Sequence, residues 1–170
     1  MRAHYDALPK TPANYVPLSP LSFLTRTAHV YADDIAVIYG DTRRSWAQVQ
    51  ARCRAVASSL RARGIKPGDT VSVLLPNIPE MFELHYAVAM SGGVLNTINT
   101  RLEAETIAYI FDHGGAKVAL VDSEVLALAE AAKAQMEGDG PILIEVPDAE
   151  ARISASACWR LPTNARSTAP

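Results

Sequence analysis

A chain of 170 residues with 49% hydrophobic content is long enough to build one domain around a substantial core. Its formal charge of −2 excludes the strongly basic footprint expected of a nucleic-acid or anionic-membrane binder. No stretch of about 20 residues escapes polar interruption, since Glu83, His85 and Asn96 break the best candidate, so no membrane span is expected.

Residues 1–20 carry Pro9, Pro12, Pro17 and Pro20 among polar residues, and read as an extended arm lying on the surface of the α/β body. The amino terminus lacks the apolar core of a signal peptide. Ser19 and Pro20 pattern as cap and first residue of a short helix with Leu21, Leu24 and Ala28 on one face. Residues 35–39 form a short apolar strand, and Gly40 and Asp41 turn it back towards Arg43 and Arg44 as a hairpin.

Ser45 opens the clearest helix, with Gln48 completing a capping box and Trp46, Val49, Cys53, Val56 and Leu60 recurring at steps of three and four. Arg52, Arg54 and Arg61 lie off that stripe and read as solvated helix charges rather than a basic functional patch. Cys53 on the apolar face reads as a core thiol. Cys158 is distant, and the pair lacks metal-ligand spacing, so a reduced, cytoplasmic protein is the expectation.

The central stretch, residues 68–105, reads as strand, helix, strand and the opening of a further helix. Residues 70–75 are a continuous apolar run stopped by Pro76 and Asn77. Asn77 with Glu80 has the capping-box pattern for the next helix, as Thr100 with Glu103 has for the one after it. Residues 81–90 are apolar nearly all round, as expected of a helix buried on most sides or meeting another domain. Phe82, Tyr86 and Met90 are candidates for exposed apolar surface and hence for self-association. Ser91, Gly92 and Gly93 end the helix, and residues 94–98 form a second strand.

Beyond it, Ile107, Ile110 and Phe111 anchor a helix closed by Gly114 and Gly115. Residues 117–121 make a third strand, Asp122 and Ser123 cap a helix running to about Met136, and residues 142–146 make a fourth strand. Apolar strands alternating with helices imply an open, mainly parallel α/β sheet covered by helices on both faces, with a Pro-rich N-terminal arm. The division is an arm and short helix over 1–34, an α/β subdomain over 35–147 and a divergent tail over 148–170. Residues 151–170 contain no acid, lysine or glycine, and read either as a disordered tail or as an out-of-frame or truncated end.

Candidates for chemistry are few. Ser91, Gly92 and Gly93 could cradle a phosphate, but they follow a helix, where carbonyls repel anions, so a tight turn is favoured. Asn96, Asn99 and Arg101 fall at or beyond the carboxyl end of a strand, the ligand side of open α/β sheets, with loop bracing as the competing reading. His4, His29, His85 and His113 share no metal or acid–base spacing, and His85 reads as a hydrogen-bonded core or interface residue. No glycine-rich dinucleotide fingerprint follows a strand.

Three blocks, NYVPLSPLSFL, AVIYGD and GDTVSVLLPNIPEMFELHYAVAMSGGVLNTINTRL, resemble in order and spacing the beginning of AMP-forming acyl-CoA synthetases, most closely the branch acting on short- and medium-chain fatty acids. The resemblance covers residues 14–147 and implies the first α/β subdomain of an adenylate-forming enzyme. Full-length members use ATP, magnesium and coenzyme A to convert a carboxylic acid into its acyl-CoA. The family's Ser/Thr/Gly phosphate loop, ribose-binding aspartate, magnesium-binding acid and lid lysine have no counterpart in this sequence. No catalytic, cofactor-binding or metal-binding residue is therefore assigned, and this segment is expected to bind none of the three cofactors by itself. The implied function is a part of an acyl-CoA synthetase, inactive alone. The alternative is a self-contained α/β binding or interaction module that keeps the fold without the chemistry.

Overall fold

Ser19 and Pro20 begin the first helix as their chemistry requires. In the computed structural model, which describes residues 9–13, 15–16 and 19–148, the Ser19 hydroxyl accepts from the Leu21 amide and Pro20 takes a first-turn position that needs no donor. Helix α1 (Pro20–Val30) buries Leu24 and Ala28. Strands β1 (Ile35–Tyr39) and β2 (Thr42–Ser45) form the expected antiparallel hairpin. Helix α2 (Trp46–Ala62) carries both halves of the capping box. The Gln48 amide donates to Ser45 Oγ, and the Ser45 amide donates to Gln48 Oε1 at 2.8 Å.

Strand β3 (Thr70–Leu74), helix α3 (Pro79–Ser91) and strand β4 (Val94–Thr97) form the first parallel unit. Helix α4 (Ala104–His113), strand β5 (Ala116–Asp122), a single 3₁₀ turn (Ser123–Val125), helix α5 (Leu126–Lys133) and strand β6 (Ile142–Val146) extend it. The four-stranded sheet has the order β4-β3-β5-β6 and every pairing in it is parallel.

Two cores follow from the period-2 alternation of the strands. Val71, Val73, Val118, Leu120, Ile144 and Val146 face Leu24, Val49, Val56, Leu84 and Val88, so α1, α2 and α3 cover one face. Leu74, Ala119 and Val121 pack with Ile107, Phe111, Ala129 and Ala132 of α4 and α5 on the other. The central strands β3 and β5 are buried on both sides, which is why they read as continuous runs. The chain leaves β3 by α3 on the first face and returns to the opposite edge of β3 by α4 on the second.

Three local expectations are corrected. Helix α3 is capped by Ile78 with no side-chain bond, not by Asn77, because the carboxylate of Glu80 is held by arginines elsewhere. Helix α4 is capped by Glu103 itself, again without a side-chain bond, so Thr100 and Glu103 form no box. The helix expected to reach Met136 ends at Lys133 and begins only after the 3₁₀ turn that Asp122 caps through the Glu124 amide. The readings of the tail over 149–170, and of His4, fall outside the described residues.

Among the described residues Phe111 is the largest fully buried side chain, whereas Phe23 on α1 is 57% exposed. Phe111→Ala should therefore cost about 3–5 kcal/mol in urea unfolding. Phe23→Ala should stay within about 0.5 kcal/mol of the parent chain.

Candidate functional site

In an open α/β sheet the ligand side is the carboxyl edge where successive crossovers switch faces. Here that switch lies between β3 and β5, so the segment after β3 is the first place to look. Leu75 and Ile78 are buried there, and Pro76 and Asn77 are exposed. A groove of about 600 Å³ opens beside them, lined by Pro20, Asn77, Ile78, Met81, Phe82, His85 and Tyr86. A second, of about 270 Å³, runs between residues 36–39 of the hairpin and the same corner of α3, sharing Asn77, Ile78 and Phe82 with the first.

The walls are mainly apolar. Phe82 and Tyr86 meet edge to face with ring centres 5.5 Å apart. Both, with Met90, are half-buried against the core rather than fully exposed, which corrects the expectation for this helix. His85 is exposed, not a core residue, and its Nδ1 lies 2.8 Å from the Met81 carbonyl. A carbonyl only accepts, so Nδ1 donates to it and Nε2 is left free to face the groove. The arrangement can seat an apolar group with one or two polar contacts. Its lining holds neither a nucleophile nor a carboxylate to serve an acid–base pair.

What fixes this corner is a charge cluster that sequence reasoning missed. Arg44 of β2 donates to Glu80 at 2.9 Å and to Glu83 at 2.8 Å. Arg52 of α2 donates through Nε to both oxygens of Glu83, at 2.7 and 2.9 Å, and through a terminal nitrogen to Glu80 at 3.1 Å. Glu83 is fully buried and Glu80 nearly so. Burial pushes the Glu83 carboxyl above its ordinary value, opposed by hydrogen bonding and charge from Arg52 and then by Arg44. Arg52 is thus a structural partner and not a solvated charge. Arg54 remains exposed, as expected. Arg61 donates to the carbonyls of Met90 and Ser91, satisfying the end of α3. The only hint in the sequence was an acid inside an otherwise apolar helix.

The candidates named from sequence are scattered. Ser91, Gly92 and Gly93 form the helix end: Gly92 sits at φ +90°, its amide donates to Ala89, and the Gly93 amide donates to Val88. Neither amide remains available to a phosphate. Asn96 lies within β4, half-buried, donating to Ser72 Oγ at 3.2 Å. Asn99 accepts from the Arg101 amide at 2.9 Å, a local loop brace, and Arg101 is exposed. His29, His85 and His113 stand on three different helices, and His113 stacks on Tyr109. Among the described residues no three His, Cys, Asp or Glu side chains are grouped to hold a metal ion. Asp122, at the carboxyl end of β5, has one buried oxygen without a partner.

Comparison with known proteins bears on what this corner belongs to. The family described as AMP-binding enzyme matches residues 24–165, reaching past the point where the sequence blocks end. The trans-cinnamate:CoA ligase of Petunia hybrida is 51% identical over 127 residues, 75% of this chain and 22% of that protein. The acetate/butyrate–CoA ligase of Arabidopsis thaliana is 44% identical over 149 residues, 84% of this chain and 26% of that protein. The solved fatty acyl CoA synthetase of Mycobacterium tuberculosis superposes with a TM-score of 0.68 at 31% identity, covering 82% of this chain and 29% of that one. The chain thus spans about a quarter of the length of the curated relatives it matches.

Two outcomes follow from the charge cluster. Glu83→Ala leaves two guanidinium groups short of an acceptor in a buried site, and should lower stability by about 3–5 kcal/mol in denaturant titration. Beside it, burial and the neighbouring Glu83 push the Cys53 thiol from 9.0 up to about 12. Its thiolate fraction near pH 7 then falls about a thousandfold. Iodoacetamide should modify Cys53 no faster than the chain unfolds, and rapid native labelling would contradict this placement.

Proposed function

The chain belongs to the family of AMP-binding enzymes, and on that premise we propose that it is the opening α/β unit of an acid–CoA ligase, contributing scaffold and one wall of a cleft rather than reacting groups. The observation that carries this reading is the 51% identity over 127 residues to a CoA ligase, within a family match over residues 24–165. The reaction proposed for the full-length protein is adenylation of a carboxylic acid by ATP followed by transfer of the acyl group to coenzyme A.

The physical argument for a scaffold role is one of missing electrostatics. Adenylation places negative charge on the transferring phosphate, and preorganised donors and cations normally supply the largest part of the acceleration. Loss of one such donor costs on the order of 10²–10³ in rate. Among the described residues the Gly92 and Gly93 amides are engaged at a helix end, Arg44 and Arg52 are engaged with Glu80 and Glu83, and no three metal-ligating side chains are grouped. What the unit offers is a rigid parallel sheet whose carboxyl edge presents the groove beside Asn77.

Choice of acid is proposed to lie outside this segment. The two relatives are similarly close to this chain, at 51% and 44% identity, yet one is named for cinnamate and the other for acetate and butyrate. A fatty acid is one class of substrate compatible with this reading. A buried, unpaired thiol at Cys53 supports a reducing compartment, with the cytoplasm as our proposal.

Two measurements test the proposal together. The purified 170-residue chain should give no acid-dependent ATP–pyrophosphate exchange across a panel of short-chain, medium-chain and aromatic acids. Exchange that tracks the protein and vanishes without acid would refute the scaffold role. Grafted in place of the matching segment of the Petunia ligase, residues 24–148 should yield an active enzyme that keeps the recipient's preference for cinnamate. A folded but inactive graft would count against membership of a ligase. A shifted acid preference would show that this segment helps select the acid.

A further inference from the structure

The loop between helix α5 and strand β6 carries a chemistry that the ligase reading does not use. Asp139–Gly140 is the chain's only Asp–Gly step, and Asp139 is exposed. We propose that Asp139 is a site of spontaneous backbone modification, closing to a succinimide and reopening as isoaspartate. The step needs no co-reactant but water. The Gly140 amide nitrogen attacks the side-chain carboxyl carbon of Asp139, and a C–N bond forms. The carboxyl hydroxyl and the amide proton leave together as water. Water then adds to the ring at either carbonyl. Opening at the side-chain carbonyl restores aspartate. Opening at the main-chain carbonyl breaks the original peptide bond and leaves Gly140 joined through the side chain. The main-chain carboxyl so exposed is the group that an isoaspartyl methyltransferase modifies, and that enzyme class is the partner implied.

The fold permits this reaction at Asp139 and opposes it at other aspartates. Ring closure needs an unshielded amide nitrogen and a carboxyl free to turn. Gly140 sits at φ +58° and Gly138 at φ +115°, so both positions call for glycine. A Cβ at Gly140 would also come within 3.0 Å of Lys133 Cγ and 3.1 Å of Met136 Sδ. The geometry that selects glycine there thereby strips the attacking nitrogen of its steric shield. Among the described residues neither the Gly140 amide nor the Asp139 carboxylate has a hydrogen-bond or ion-pair partner. Asp122 also precedes a small residue, Ser123, yet it is buried and its carboxylate accepts from the Glu124 amide at 2.8 Å. Asp69 precedes the β-branched Thr70 and is held at 2.7 Å by Lys117 and by the Lys66 amide. The modified linkage adds one carbon to the main chain at the amino end of β6, an edge strand, away from the grooves at the carboxyl edge.

The test ages the folded 170-residue chain in neutral buffer at physiological temperature, then adds an isoaspartyl methyltransferase with tritiated S-adenosylmethionine. Label should accumulate with ageing time, and peptide fragmentation should place it at Asp139. A transient form one water lighter should precede it. Asp139→Glu keeps the charge but needs a larger ring, so it should lose the label. Asp139→Asn should gain label faster than the parent chain, because ammonia leaves in place of water. Both variants alter an exposed loop side chain, so the fold is retained. Label at Asp139 that appears in urea but not in the folded chain would show that the loop protects it and overturn the proposal. Label confined to other aspartates, or unchanged in Asp139→Glu, would overturn it equally.

Discussion

A carboxylate cannot be taken out of water without partners, and the arrangement of Glu83 shows how much structure that requirement organises. Its two oxygens draw in Arg52 from α2 and Arg44 from β2, and the same guanidinium groups reach Glu80 one turn earlier on α3. Strand β2 and helix α2, which adjoin in sequence, are thereby fixed in angle and depth against the more distant α3. The apolar contacts of Val49, Cys53, Val56 and Leu84 would tolerate sliding of one helix on another; the directed bonds of Arg52, through Nε to Glu83 and a terminal nitrogen to Glu80, do not. The groove beside Asn77 takes its shape from this fixation, because its walls are the hairpin and the first turns of α3.

The legible part of the fold was the part decided locally. Ser45 and Gln48 sit on adjacent turns, so their reciprocal bonds need nothing from elsewhere, and both are present. The strands were legible for a related reason: with helices on both faces, Val71, Val73, Leu74, Val118 and Val121 are all buried and the run is unbroken. Where a distant partner competes, the local pattern misleads. Asn77 and Glu80 have capping-box spacing, but Glu80 is drawn away by arginines 36 and 28 residues distant. Arg52 looked solvated because its position off the helix stripe says nothing of a buried acid on another helix.

Strand order was invisible for the same reason, and with it the site. Sequence attention fell on Asn96, Asn99 and Arg101, near the end of β4, because residues there are polar and follow a strand. The order β4-β3-β5-β6 makes β4 an edge and moves the switch of faces to β3 and β5. Asn77, read as a cap, becomes a rim residue, and His85, read as a core or interface residue, becomes an exposed ring over the groove. A sheet of this order places its open cleft where the polypeptide of a larger enzyme can meet it. The matched relatives are longer proteins, of which this chain covers about a quarter.

The parallel pairing of β3 also sets a schedule for synthesis. Its register partners in β4 begin at Val94, but those on its other side begin at Ala116 and depend on the whole of α4 being in place first. At roughly 5–20 residues per second, one edge of β3 waits about 2–9 s for its neighbour after Thr70 is made. During that interval Thr70, Val71, Ser72, Val73, Leu74 and Leu75 offer an uncharged run with an unpaired backbone. Short uncharged runs of high strand propensity are the segments that template intermolecular sheets. Until Ala116 has been made and has emerged, that edge of β3 is without its native partner.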